Sequence, residues 1–268
     1  MLVNGILLHV DRKVVDDALG TVIVTHGIAE HSGRYQVLTE TLKKAGFTVV
    51  LYDLRGHGQS QGKRGHVRSF QLFIDDLHVL VEMERALGAK KIFLFGHSMG
   101  GLIVDMYGVK YGAVDGIIAS AAPTSFVKDI LPLRLLGYQW LGWAHKKTNF
   151  ADDQLSRMKD VEEAYLNDPL NLKRFSLALA GQVMVGGVRY LNAHIKKFLT
   201  PVLILHGEDD KIVPAAFSER FFEVIPTKDK KLILYPEAYH EILNDYGQEK
   251  VREDIVSWLT LKAKEEKA

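Results

Sequence analysis

The sequence predicts an α/β fold: a doubly wound, mostly parallel sheet with a helical cap inserted between core strands. Three observations predict it. Short apolar runs without strict alternation recur along the chain, which suits strands covered on both faces. Segments of helical length and period separate them, and strands alternating with helices build such a sheet. The alternation then breaks once, from Pro123 to about Leu199, where no convincing strand is found.

Taken in order, Met1 to Val10 is apolar, interrupted by Asn4 and His9 and followed at once by Asp11, Arg12 and Lys13. No basic residue precedes it and no small-residue cleavage site follows, so it reads as a first strand rather than a signal peptide. Thr21 to Thr25, Phe47 to Tyr52, Lys91 to Phe95, Val114 to Ala119, Pro201 to Leu205 and Lys231 to Tyr235 are the core strand candidates. Helices are expected over Tyr35 to Ala45, Ser69 to Leu87, Gly101 to Tyr111, Ala215 to Val224 and Gln248 to Lys262. In the second, Phe70, Phe73, Ile74, Leu77, Leu80 and Val81 recur at three- and four-residue steps and form one apolar face. Inside the break, helices are expected around Asp129 to Trp143, Asp152 to Leu166 and Asn171 to Ala180, punctuated by Pro132, Pro169 and Gly186-Gly187.

At roughly 150 residues per domain, 268 residues accommodate one large domain or one domain with an insertion. Hydrophobic residues make up 47% and charged residues 25%, which excludes a disordered chain and a collagen-like repeat. Lys+Arg 34 against Asp+Glu 33 leaves a net charge of +1, no field for holding a nucleic-acid backbone. With Cys 0, disulfides, thiolate nucleophiles and cysteine metal sites are all excluded. No stretch approaches the ~18 apolar residues of a transmembrane helix, so a cytoplasmic protein is expected, either free or peripheral at membranes.

The chemistry centres on Phe95-Gly96-His97-Ser98-Met99-Gly100-Gly101, which contains GxSxG. Chance alone supplies roughly 0.1 such matches in an ordinary chain of this length, so its setting carries the weight. The motif follows an apolar strand and opens a helix, as a strained nucleophile turn requires. Glycines two residues to either side keep the adjoining strand and helix from colliding, and the Met99 N–H points at an oxyanion. A serine hydroxyl needs a base to take its proton, and the base needs an orienting carboxylate. Gly207-Glu208-Asp209-Asp210 and His240 both follow predicted strands at their carboxyl ends, where open α/β sheets place their sites. Asp210 is the expected acid, with Asp209 the alternative; His240 is the expected base. Gly27 lets the backbone after Thr25-His26 pass close to the serine, which makes the Ile28 N–H the second oxyanion donor. His26 is assigned a hydrogen-bonded structural role.

The segments HGIAEHSGRY (26–35), DLRGHGQSQGKRGHV (53–67), GHSMGG (96–101), NDPL (167–170), HGEDDKIV (206–213) and AYHEIL (238–243) together resemble one branch of the α/β-hydrolase superfamily. It is the serine aminopeptidase-like branch containing monoacylglycerol lipases and lysophospholipases. The resemblance implies a hydrolase core over 1–122 and 200–268 with a helical cap over 123–199. It also implies hydrolysis of one fatty acyl ester without cofactor; no metal is expected, since no HExxH or other metal-ligand spacing appears. Carried over by motif position, Ser98 is the nucleophile, Asp210 the acid and His240 the base, with Ile28 and Met99 at the oxyanion hole. The extra acid, Asp209, departs from the usual acid loop. In the cap only NDPL matches, so acyl specificity is left open.

Other readings stand beside this one: an aminopeptidase, carboxylesterase or thioesterase on the same scaffold, or a binding protein that has lost catalysis. Asp53 to Ser60 lacks the Lys and spacing of a phosphate loop and is expected to be a rigid loop held by glycines and an Asp–Arg pair. Glu30 and Arg34 are spaced to pair. Ile130 to Trp143 is either a membrane- or micelle-facing entrance or a packed or dimeric contact. Leu172, Phe175, Leu179, Val183 and Met184 either line an acyl tunnel or belong to the core.

Overall fold

The computed structural model describes residues 1–127, 133–134, 137–148 and 154–265. A seven-stranded sheet runs in the order β11-β10-β7-β6-β4-β5-β3, parallel except for β3 (Val10–Lys13) against β5 (Phe47–Tyr52). The other strands are β4 (Gly20–Thr25), β6 (Ile92–His97), β7 (Gly116–Ser120), β10 (Val202–Gly207) and β11 (Lys230–Tyr235). Successive residues point to opposite faces, and both faces are apolar. Ile23, Ile92 and Leu94 pack into one core layer; Val22, Val24, Phe93 and Phe95 pack into the other.

Helices α2 (Gln71–Ala86), α3 (Met99–Lys110) and α7 (Ala216–Val224) cover the first face, and α1 (Gln36–Lys44) and α8 (Gln248–Lys264) the second. The α2 spacing is borne out: Phe73, Ile74, Leu77, Leu80 and Val81 are all buried. Helix α3 is buried all round from Met99 to Val109, which is why it shows no polar stripe. From β4 the chain passes to β5 on one side and later returns as β6 on the other. The crevice for a site therefore opens beyond the carboxyl ends of β4 and β6.

Two expectations are corrected. Met1 to Val10 is not one strand: Asn4 and Gly5, both at positive φ, turn β1 (Leu2–Val3) back on β2 (Ile6–Leu7), and only β3 joins the large sheet. Asn-Gly is a hairpin turn pair, because it tolerates that conformation at both positions. The interval between β7 and β10 also contains strands. β8 (His145–Lys147) pairs antiparallel with β9 (Arg174–Ser176), too short for alternation to be visible in the sequence.

The expected Asn171 to Ala180 helix begins only at Leu177, where the Ser176 hydroxyl accepts the Leu179 N–H as its cap. There α5 (Leu177–Gly181), a π-helical stretch Gln182–Gly187 and α6 (Val188–His194) run on from one another. The expected Asp152 to Leu166 helix is α4 (Lys159–Asn167), and residues 152–153 lie outside the described residues. Of the helix expected over 129–143, residues 129–132 and 135–136 lie outside them too; the rest includes one turn, Tyr138–Trp140, after Gly137 at positive φ. Among the described residues, no helix is long and apolar enough to cross a membrane.

Candidate active site

Ser98 stands between β6 and α3 with φ 53° and ψ −119°, a backbone conformation that side chains other than glycine rarely adopt. The strain is locked in by its surroundings. The Ser98 N–H donates to the Ser120 carbonyl at 2.8 Å. A Cβ at Gly100 would lie 2.1 Å from the Thr25 carbonyl oxygen, and one at Gly96 would lie 2.2 Å from that of Gly100. Only glycine permits this approach of helix to strand. Met99 opens α3, so its N–H is one of the first-turn donors without an intrahelical acceptor. Ile28 lines the cavity together with Ser98. A Cβ at the neighbouring Gly27 would come within 3.3 Å of the Ser98 Cβ.

Asp210 and His240 meet at the ends of β10 and β11. The His240 Nδ1 and Asp210 Oδ2 are 2.7 Å apart, both side chains buried. The other oxygen, Asp210 Oδ1, accepts the N–H groups of Ile212 and Val213 at 2.8 Å each. Burial raises the Asp210 pKa, but His240 and His206 outweigh it and hold the carboxyl well below its usual range. Burial likewise opposes a charge on His240, yet the Asp210 carboxylate prevails and its pKa is raised. Asp209 is not part of this contact; its N–H donates to the Ala238 carbonyl, tying the acid loop to the histidine loop.

Ser98 and His240 line one cavity of about 770 Å³. Phe126, Val127, Leu133, Leu177, Met184 and Phe217 give it apolar walls, while Glu30, His97 and Glu241 supply polar groups beside the serine. Arg34 joins the two glutamates: its Nε lies 3.1 Å from Glu30 and its Nη2 pairs with Glu241. Its guanidinium also sits 4.7 Å over the Tyr165 ring. Burial and the nearby Glu30 raise the Glu241 pKa against the pull of Arg34. The His97 ring lies 4.8 Å from that of His240, and burial pushes its pKa well below the ordinary value.

The structure thus brings Ser98, His240, Asp210 and Ile28 to one place, with the Met99 amide beside the serine. Glu30 and Arg34 pair as their spacing predicts, and Glu30 also faces the cavity. The Asp–Arg pair expected in the 53–60 loop does not form. Asp53 accepts from Ser32 and Gln59 instead, and Arg55 binds Asp76 on α2. His26 is fixed between the Leu54 N–H and the Gly27 carbonyl. The apolar stripe divides: Phe175 and Met184 face the cavity, whereas Leu172, Leu179 and Val183 are core. Sequence reasoning missed His97, Glu241, Tyr165 and His206. His97 and Glu241 adjoin Ser98 and His240 in the chain, a proximity that could have marked them. Tyr165 carried no such signal. Among the described residues no cluster of metal-ligating side chains occurs.

Comparison with known proteins places this geometry among relatives. The profile of a hydrolase family described as serine aminopeptidase, S33, matches residues 16–247. A monoacylglycerol lipase of Mycolicibacterium smegmatis is 31% identical over 263 residues, covering 96% of this chain and 94% of that protein. The phospholipase YtpA of Bacillus subtilis is 30% identical over 88% of this chain and 93% of its own length. The crystal structure of the Paleococcus ferrophilus monoacylglycerol lipase superposes with a TM-score of 0.85 at 32% identity, covering 96% of this chain and 99% of that one.

Proposed function

The chain belongs to the serine aminopeptidase S33 family of α/β-hydrolases, and from that premise we propose that this serine hydrolase cleaves one fatty acyl ester of a monoacylglycerol or lysophospholipid. The observation that carries the reading is Ser98 and His240, the latter held by Asp210, facing one largely apolar cavity of about 770 Å³. His240, oriented by Asp210, takes the Ser98 proton as the serine oxygen attacks the ester carbonyl. The N–H groups of Ile28 and Met99 hold the oxyanion, each worth about 3 kcal/mol of barrier. His240 returns the proton to the departing alcohol; water then repeats the attack on the acyl-enzyme and frees the fatty acid.

The cap over 123–199 supplies much of the apolar wall that takes the acyl chain. Glu30, His97 and Glu241 form the polar end that takes the alcohol. An aminopeptidase would need a carboxylate available to a free amine. Glu30 and Glu241 face the cavity and share the one Arg34 guanidinium; what favours the ester reading is the largely apolar wall, which suits an acyl chain. The homologous lipases and phospholipase are consistent with it.

Hydrolysis of monoacylglycerols from short to long chains, beside Ser98→Ala and an aminoacyl amide, tests the proposal. Ester turnover is expected, with a loss of several orders of magnitude in the variant. Preference for the amide, or undiminished activity in Ser98→Ala, would overturn it.

A further inference from the structure

One wall of the cavity is a strand of the insertion. In β8, Lys146 stands opposite Phe175 of β9, and side chains paired across two strands share a face. Phe175 lines the cavity, so that face is turned toward it, and Lys146 lines it as well. Thr148 comes two residues later and returns to the same face. It continues the ladder, its N–H donating to the Lys173 carbonyl at 3.0 Å, and it too lines the cavity.

Among the described residues, neither side chain has a polar partner. Thr148 is only 9% exposed, and its hydroxyl is buried without a hydrogen bond. Leaving a buried hydroxyl unpaired is costly, so one that persists beside a cavity marks where a ligand supplies the bond. Lys146 is exposed at the cavity's margin and enters no ion pair there. Lys211 also lines the cavity, but its ammonium donates to the Tyr239 hydroxyl at 2.7 Å. The β8 wall adjoins the alcohol end. The Leu172 N–H and the Tyr165 hydroxyl both donate to the Ala29 carbonyl, at 2.9 and 3.3 Å. The segment that pairs with Thr148 is thereby tied to the residue between Ile28 and Glu30.

We propose that Lys146 and Thr148 bind a phosphate carried by the alcohol part of the ester, so that an acylglycerol phosphate is taken in preference to a neutral acylglycerol. Their Cα atoms are roughly 7 Å apart along the strand. The long lysine side chain closes that span, and one phosphate accepts from the ammonium with one oxygen and from the hydroxyl with another. A neutral glycerol would pair the hydroxyl but leave the ammonium unanswered. Arg34 holds Glu30 and Glu241 on the serine's side, where glycerol hydroxyls donate to them and the phosphate is left to the β8 wall. The preference between esters rests on the ester-hydrolase reading; the phosphate site does not, because its occupancy is scored without turnover.

The test compares 1-acylglycerol with 1-acylglycerol 3-phosphate of the same chain length, both dissolved below the concentration at which they form micelles. The phosphate-bearing ester is expected to have the higher kcat/KM by about tenfold or more, the difference lying in KM. Lys146→Gln and Thr148→Val should each raise its KM about tenfold and bring the ratio between the two esters toward one, while Lys146→Arg keeps the ratio. A general packing defect would act on both esters alike, and Lys146 is exposed, so its variants test the site even if the Thr148 variant folds poorly. In a second arm, glycerol 3-phosphate should slow labelling of Ser98 by an alkyl fluorophosphonate more than glycerol or inorganic phosphate does, and Lys146→Gln should abolish that protection. An equal or higher kcat/KM for the neutral ester, or variants that leave the ratio unchanged, would overturn the proposal and leave the ester reading standing. Equal protection by inorganic phosphate would overturn the headgroup assignment in favour of a free-phosphate site. Protection by glycerol 3-phosphate with neither ester hydrolysed would uphold the phosphate site and refute the ester reading.

Discussion

His206 shares the Asp210 carboxylate with His240. Its Nε2 lies 3.0 Å from Asp210 Oδ2 and 2.9 Å from the Val213 carbonyl, so that nitrogen carries the hydrogen. Its Nδ1 faces the Ser218 hydroxyl at 2.7 Å. His206 thus fixes the Asp210 carboxylate that holds His240, which makes it a positioning residue under the proposed mechanism. A hydrogen bond to a charged group contributes roughly 1.5–3 kcal/mol. On that scale His206→Leu, which removes the donor, is expected to lower kcat about tenfold or more with little change in KM. The pH profile reports on it too. In the proposed mechanism His240 acts only when neutral, and Asp210 raises its pKa, so kcat/KM should climb with pH through a midpoint above the ordinary ~6.5. Without the His206 donor, Asp210 pulls harder on the His240 proton and the midpoint should move further up. A purely structural defect would leave it in place. Ser98 and His240 were legible because each follows a strand in a distinctive setting. His206 was not, since a buried histidine one residue before Gly207 has no pattern of its own.

The ends of β10 and β11 must meet for the acid and the base to touch, and Gly207 is what lets them. A Cβ there would lie 2.3 Å from the Ala238 carbonyl oxygen and 2.4 Å from that of Tyr239. Gly207→Ala is expected to push the loops apart, costing about 1–3 kcal/mol of stability and a larger share of kcat. A urea titration and steady-state kinetics on the same preparation check both. At this scale the sequence served the long elements well. Runs such as Phe47–Tyr52 are apolar on both faces, and α2 shows its stripe over four turns. It failed on β8 and β9, where three residues hold less than two periods of alternation and pairing comes from 27 or more residues away in the chain. The helix expected over Gly101 to Tyr111 is α3 (Met99–Lys110), found by its length although burial on nearly every side leaves it no polar stripe.

Across the whole molecule, acid sensitivity follows from histidines buried far from solvent. Burial lowers His26 to about 4 and His57 to about 3, with rings 5.4 Å apart. In the unfolded chain both titrate near ~6.5. Between those limits the unfolded state binds more protons, so stability is full above ~6.5 and falls as pH drops toward 4. The expected loss is on the order of a few kcal/mol, read from denaturant midpoints at pH 7 and pH 5. His57→Leu should flatten that slope, and a midpoint independent of pH would contradict the account. The sheet, its winding and the site edge were legible because they follow from the order of apolar runs. The insertion was legible only as an interruption, because its short elements take their form from contacts with the loops around 65 and 144.

Ser98, Asp210 and His240 all sit on loops at one edge of the sheet, and none comes from the stretch between β7 and β10. That stretch instead contributes Leu133, Phe175, Leu177 and Met184 to the cavity. Heritable change can therefore fall on the two parts separately. Under the proposed function, mutations in the insertion would vary which acyl chain is admitted while the residues proposed to move the proton keep their framework, so new specificities would be reachable by single steps that leave the chemistry running.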